Sequence, residues 1–223
     1  MEKKIILGVT SLCVLAITLL LMLPEERADT PDTLPWHITH PTPDTARIFG
    51  ITLGETTLAE AEKQLKEETQ IAMFKSGDDK KSIEGYIEEV NFNGLKAKMI
   101  FTITLSPAET EGMYTRGQGI ANSPSGKRIR LTPEDAFKVR QSPVISISYI
   151  PNSRLEEDVF LKRFGEPAQR ISETENGLVH WLYPQHGLDI VLGEKNKPML
   201  QYVSPKDFEL LRAPLLNQGK TVN

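Results

Sequence analysis

Histidines are the side chains in this sequence most suited to chemistry. His180 and His186 flank a turn at the ends of two predicted strands, and Asp189 follows three residues later. A histidine that moves protons needs a positioned partner such as a carboxylate. His180, His186 and Asp189 are therefore the set on which a hydrolase would be built. His180 alternates with Trp181, and Asp189 with Leu188 and Ile190. On a half-buried sheet that pattern predicts solvent-facing positions for both, which is poor placement for a catalytic centre. His37 and His40 are three apart, a spacing that holds zinc on a helix. They sit among prolines, where no helix forms, and no third ligand lies near, so no metal site is assigned.

Other catalytic signatures are absent. Gly117-Gln118-Gly119 lacks the further glycines and the strand-to-helix setting of a phosphate loop. No serine occupies a nucleophile elbow. The runs Glu88-Glu89 and Glu156-Glu157-Asp158 fall on predicted exposed faces or helix N-termini, where acidic residues favour the helix dipole. No catalytic residue, cofactor or small-molecule ligand is assigned.

Two groups of residues are candidates for partner binding. Trp181, Tyr183 and Tyr202 on neighbouring strands suit an aromatic binding platform, since aromatics are enriched at binding hot spots. They equally suit a core face under the helix that carries Leu155 to Phe164, and this is the preferred reading. Lys127, Arg128 and Arg130 form a basic cluster suited to anionic lipid or an acidic partner. A solvated loop end is its blander and preferred reading.

These residues need elements to hold them. The chain has 223 residues, 39% hydrophobic and 25% charged, as in an ordinary globular protein. Net charge is −4, which opposes a general nucleic-acid binder, whose surface must be basic. The one cysteine, Cys13, rules out an internal disulfide.

Cys13 lies in the uncharged stretch Ile5 to Leu23. At 1.5 Å rise per residue this stretch covers about 28 Å as a helix, close to a bilayer's hydrocarbon core. A cleaved signal peptide is disfavoured by that length and by the Pro24-Glu25-Glu26 exit. Acylation at Cys13 is disfavoured by Leu12 before it and by the ten apolar positions after it. The expectation is an uncleaved anchor over 1–23. Lys3 and Lys4 before the span put the N-terminus in the cytoplasm and the domain outside. In a two-membrane bacterium this means an inner-membrane, single-pass protein with a periplasmic domain.

Residues 24–47 hold five prolines and predict an extended tether on which Trp36 docks back onto the domain. Beyond it the predicted class is α+β, in two tandem strand–helix–antiparallel-sheet units over 48–105 and 144–205. In the first, strand Ile48 to Leu53 precedes a helix opened by the capping box Thr57 to Glu60. Strands Gln70 to Phe74, Gly85 to Phe92 and Leu95 to Leu105 follow, the last two joined by an Asn93-Gly94 hairpin turn. In the second, strand Val144 to Ile150 precedes a capping box at Ser153 to Glu156, a helix to Phe164 and a three-stranded meander over Leu178 to Val203. Between them, 106–143 reads as a long flexible loop ending in a short helix from Thr132, and 206–223 as a tail.

The run Phe164-Gly165-Glu166-Pro167, with Trp181-Leu182-Tyr183 and Gly187-Leu188-Asp189, resembles the small envelope module of the SmpA/OmlA outer-membrane-assembly lipoproteins. Tandem versions of that layout are similar to β-lactamase-inhibitor-type folds. Phe49 to Gly54 together with His180 to Pro184 also resembles membrane-anchored proteins of proteobacteria. The chain departs from the lipoproteins in lacking a lipobox. The resemblance implies a non-catalytic binding module and carries over no active site. The function expected is thus a protein-interaction module of the cell envelope that uses a sheet edge or the 106–131 loop. A hydrolase using His180, His186 and Asp189, or a spacer in a membrane complex, are the alternatives.

Overall fold

The computed structural model describes residues 33–222 except 78, 124, 125, 174, 175 and 195. The expected anchor over 1–23 and the start of the tether lie outside these residues. Among those described, no helix is long and apolar enough to cross a membrane.

The fold is α+β, with five helices and thirteen strands among the described residues. In chain order they are β1 (Arg47–Ile48), β2 (Ile51–Thr52), α1 (Leu58–Leu65), β3 (Gln70–Lys75), β4 (Lys81–Phe92) and β5 (Leu95–Ile103). Next come α2 (Pro107–Arg116), β6 (Ile120–Ser123), β7 (Gly126–Ile129), α3 (Pro133–Arg140), β8 (Val144–Pro151) and α4 (Glu157–Phe164). The chain ends with β9 (Gln169–Glu173), β10 (Val179–Tyr183), β11 (Leu188–Leu192), β12 (Met199–Val203), α5 (Glu209–Gln218) and β13 (Gly219–Val222). Strands β3 to β13 form one eleven-stranded antiparallel sheet, in the order β13-β9-β10-β11-β12-β8-β5-β4-β3-β7-β6.

The two sequence halves lie side by side in this sheet. They meet where β5 pairs with β8, with Met99 opposite Tyr149 and Phe101 opposite Ile147. One core runs under both. Leu58 of α1, Met113 of α2, Val139 of α3 and Phe160 of α4 pack with Met73, Phe101, Ile147, Trp181 and Tyr202 on a single sheet face. A second, smaller core lies on the opposite face, where Phe208 and Leu215 cover Ile171, Leu182 and Val203.

Local signals explain most of the elements. The Thr57 hydroxyl accepts from the Glu60 amide while the Glu60 carboxylate accepts from the Thr57 amide, so two of the free N–H groups at the start of α1 are satisfied. Thr132 caps α3 with Pro133 behind it, as the sequence predicts. Asn93 and Gly94 both have positive φ, 50° and 91°, the geometry required of the tight β4–β5 turn. The neighbouring Glu88 and Glu89 stand at a bulge in β4 and pair with Lys98 and Lys96.

Four expectations need correction. The stretch 106–131 is not a structureless loop: it folds into α2 and the hairpin β6–β7. A capping box at Ser106 and Glu109, with Pro107 in the first turn, opens α2. Helix α4 starts at Glu157, with Glu156 as an N-cap that makes no side-chain bond, so Ser153 to Glu156 is not its capping box. The tail holds α5, which covers the sheet, and β13, which pairs with β9. The strand expected over Ile48 to Leu53 instead folds back at Phe49-Gly50, where φ is 54° and 74°.

The second part of the tether, 33–46, is a strap docked on the domain. Trp36 lies 4.6 Å beneath the Arg163 guanidinium, Ile38 packs on the core, and Thr39 bridges to Arg47. The buried Tyr202 hydroxyl donates to the Pro35 carbonyl at 2.7 Å. Removing it leaves a buried carbonyl unpaired, at a cost of about 1–3 kcal/mol. Tyr202→Phe is therefore expected to destabilise the domain by that amount and to expose 33–46 to limited proteolysis. Unchanged cleavage kinetics would show that the strap is held by other contacts.

Candidate functional site

The β9–β10–β11 meander brings three ionisable side chains onto the sheet face beneath α5. His180 stands opposite Ile171 of β9 and Val191 of β11, while Asp189 stands opposite Leu182 of β10. His180 and Asp189 are therefore diagonal neighbours on one face, within reach of each other. His180 Nδ1 lies 2.7 Å from Asp189 Oδ2, and its Nε2 lies 3.1 Å from Glu173 Oε1. Both His180 (5% exposed) and Asp189 (1%) are buried. Asp189 Oδ1 has no hydrogen-bond partner among the described residues.

Burial is the largest influence on both groups. It raises the pKa of Asp189, because an ionised carboxylate is poorly solvated there. At His180 burial alone would lower the pKa, but Asp189 and then Glu173 outweigh it, and the net shift is upward. Both ring nitrogens thus face carboxyl groups, which favour the protonated imidazole.

The expectation that His180 and Asp189 face solvent is overturned, and the reason is visible in the strands. Each strand is apolar on both faces: Trp181 and Tyr183 point to the large core, but Leu182 points to the small one. Val191 shares the face of Asp189 and is buried too. Those alternate apolar residues were the signal that this face is also covered, and α5 covers it.

The structure divides the expected acid–base set. His180 and Asp189 meet, with Glu173 as a third member that sequence reasoning missed. His186 stands elsewhere, on the turn after β10. Its ring stacks on His40 at 6.2 Å and packs near Phe164 and Tyr183. Burial, and then the charge of His40, lowers its pKa. With both nitrogens of His180 facing carboxylates, the ring has no free nitrogen to present to a substrate. The arrangement links β9, β10 and β11 across a buried face.

Of the aromatic candidates, Tyr183 and Tyr202 are fully buried and Trp181 nearly so. The Tyr183 hydroxyl donates to the Gly165 carbonyl at 3.0 Å, which ties β10 to the end of α4. The Arg170 guanidinium lies 4.8 Å from the Trp181 ring. The edge of Trp181 lines a cleft of about 780 Å³ together with Arg154, Leu155, Val179 and Leu192. The three aromatics are core residues of the second half, with only this edge of Trp181 open to a cleft.

The basic candidates occupy an end of the sheet. Lys127 and Arg128 belong to β7 and Arg130 follows it; all three are exposed. Strand β7 pairs with β3 on one side and with β6 on the other, and β6 is the outermost strand. Arg128 lies 6.0 Å from the Tyr86 ring. Ile120 on β6 is 60% exposed, an unusual position for isoleucine on a strand. A groove of about 380 Å³ runs beside it, lined by Ile71, Ala72, Ile120, Ala121, Arg128 and Arg130.

No protein-family model matches the chain, and neither curated proteins nor solved structures gave a match.

Proposed function

We propose that this chain is a non-catalytic protein-interaction module of the cell envelope, and that it receives an extended segment of a partner along β6. On this reading the apolar stretch Ile5 to Leu23 is an inner-membrane span with the domain on the periplasmic side. The observation that carries the binding mode is the exposed edge. Among the described residues, strand β6 pairs only with β7 and presents Ile120, Ala121 and Asn122 to solvent beside an open groove. An uncovered strand offers a row of unpaired backbone groups, and a segment that adds to it gains main-chain hydrogen bonds. Strand β6 is a sheet edge that lies within the 106–131 segment. The likeness to SmpA/OmlA-type modules points to the same class of activity.

Site-specific crosslinking tests this. A photoreactive amino acid at Asn122 in the membrane-embedded full chain is expected to give a discrete adduct with one partner. The same group at Lys162, on the exposed face of α4, should not. Equal adduct patterns from both positions, or none from Asn122, would remove β6 as the binding edge.

A further inference from the structure

The groove beside β6 has a chemistry that selects what it receives. Strand β3 outruns β7: their pairing ends at Met73 opposite Ile129, so Ile71 and Ala72 continue beyond it. These two residues line the groove together with Ala121, Arg128 and Arg130. Register places Ala121 opposite Arg128, and Arg128 opposite Phe74, two residues from Ala72. Ala72 and Ala121 therefore stand on the same face as Arg128, whose side chain borders the groove and whose guanidinium lies 6.0 Å from the Tyr86 ring.

Charge decides what fits there. Cations nearby are neutralised, Lys75 by Asp79 and Lys81 by Glu111. Lys127, Arg128 and Arg130 form no ion pair among the described residues, although the chain as a whole carries a net charge of −4. Glu84, on the Arg128 face of the sheet, accepts hydrogen bonds from Ser82 and Tyr86 instead. An exposed arginine pair beside a groove matches a carboxylate, which a guanidinium binds through two parallel hydrogen bonds.

We infer that the segment received at β6 is acidic, with a carboxylate side chain seated between Arg128 and Arg130 and apolar, strand-forming residues around it. This rests on the reading of β6 as the docking strand. A second copy of the chain is a poor occupant, because pairing β6 with β6 would bring two sets of unpaired cations together.

Selection from a displayed library of random ten-residue peptides on the full chain in detergent tests it, with binding of the selected peptides then measured by fluorescence anisotropy. The expected peptides carry Asp or Glu among β-branched and aromatic residues. Their affinity should fall at least tenfold in Arg128→Glu/Arg130→Glu, and should fall as salt is raised. Both arginines are exposed, so the variant is expected to fold, and its unfolding transition provides the control. Neutral or basic selected peptides, or acidic ones indifferent to the arginine reversal, overturn the acidic specificity. If such peptides are nonetheless lost in Asn122→Pro, which disrupts the edge strand, the docking reading stands alone. Peptides insensitive to both variants, or no selected peptide at all, overturn both.

Discussion

Replacing His180 with alanine is expected to cost the domain about 3–5 kcal/mol, because it strips a buried carboxylate of its cation. Asp189 is almost wholly buried, and one of its oxygens already lacks a partner. Urea denaturation followed by tryptophan fluorescence would read the loss. The double variant His180→Leu/Asp189→Leu should recover most of it, since a buried ion pair is commonly replaceable by apolar residues of similar size. The pH dependence has a definite sign. His180 binds its proton more tightly in the folded state than at its ordinary value of 6.5. Its contribution is therefore fully present below pH 6.5 and is lost as the pH rises through the elevated folded value. Wild-type stability should decline across that window with a slope that His180→Ala lacks. A loss under 1 kcal/mol with the slope retained would show that the cluster is not charged as described.

The second large effect is expected at Phe49. This ring is 2% exposed and stacks on Phe92 at 4.8 Å and Tyr149 at 5.2 Å, with Tyr202 edge-on at 6.0 Å. Truncation to alanine should cost about 3–5 kcal/mol through lost burial and the cavity left behind. The backbone adds a distinguishing detail. Phe49 sits at φ 54°, a conformation that costs a side-chain-bearing residue roughly 1–2 kcal/mol and glycine almost nothing. Phe49→Gly should therefore be no worse than Phe49→Ala, the reverse of the usual order in strands. Chemical denaturation of both variants decides it. A glycine variant clearly less stable than the alanine variant would mean that the turn is not strained at that residue.

Phe49 also illustrates what the sequence reveals and what it hides. Ile48 to Leu53 carries the composition of a strand, and nothing in it except Gly50 marks a fold-back in the middle. The turn is held by contacts distant in sequence: the ring packs among three aromatics, and Gln64 Nε2 donates to the Phe49 carbonyl. By contrast, the Thr57–Glu60 box and the Asn93-Gly94 turn are local devices complete within a few residues, and both were legible. Helix α2 has an equally good box at Ser106 and Glu109. Its periodic signal is faint, since only Met113 of its ten residues is buried.

At the candidate sites the division is similar. His180 and Asp189 were recognisable as residue types that pair, and their separation across the turn brought them within reach. The only local sign of their burial is the apolar Leu182 and Val191 on the same face, since α5, which covers that face, comes from the far end of the chain. Glu173 escaped notice because β9 is short and half-polar. The basic cluster was visible as Lys127, Arg128 and Arg130, but its place at the end of an eleven-stranded sheet is a property of strand order. Strand order is set by long-range pairing that no local pattern encodes.

The strap has a consequence for when the fold can be completed. Pro35 and Tyr202, which it joins, are 167 residues apart. At a synthesis rate of about 5–20 residues per second, roughly 10–30 s separates the appearance of the two partners. The strap emerges before its partner, and this bond forms only once β12 has been made. The anchoring of Pro35 therefore waits on the C-terminal half of the sheet.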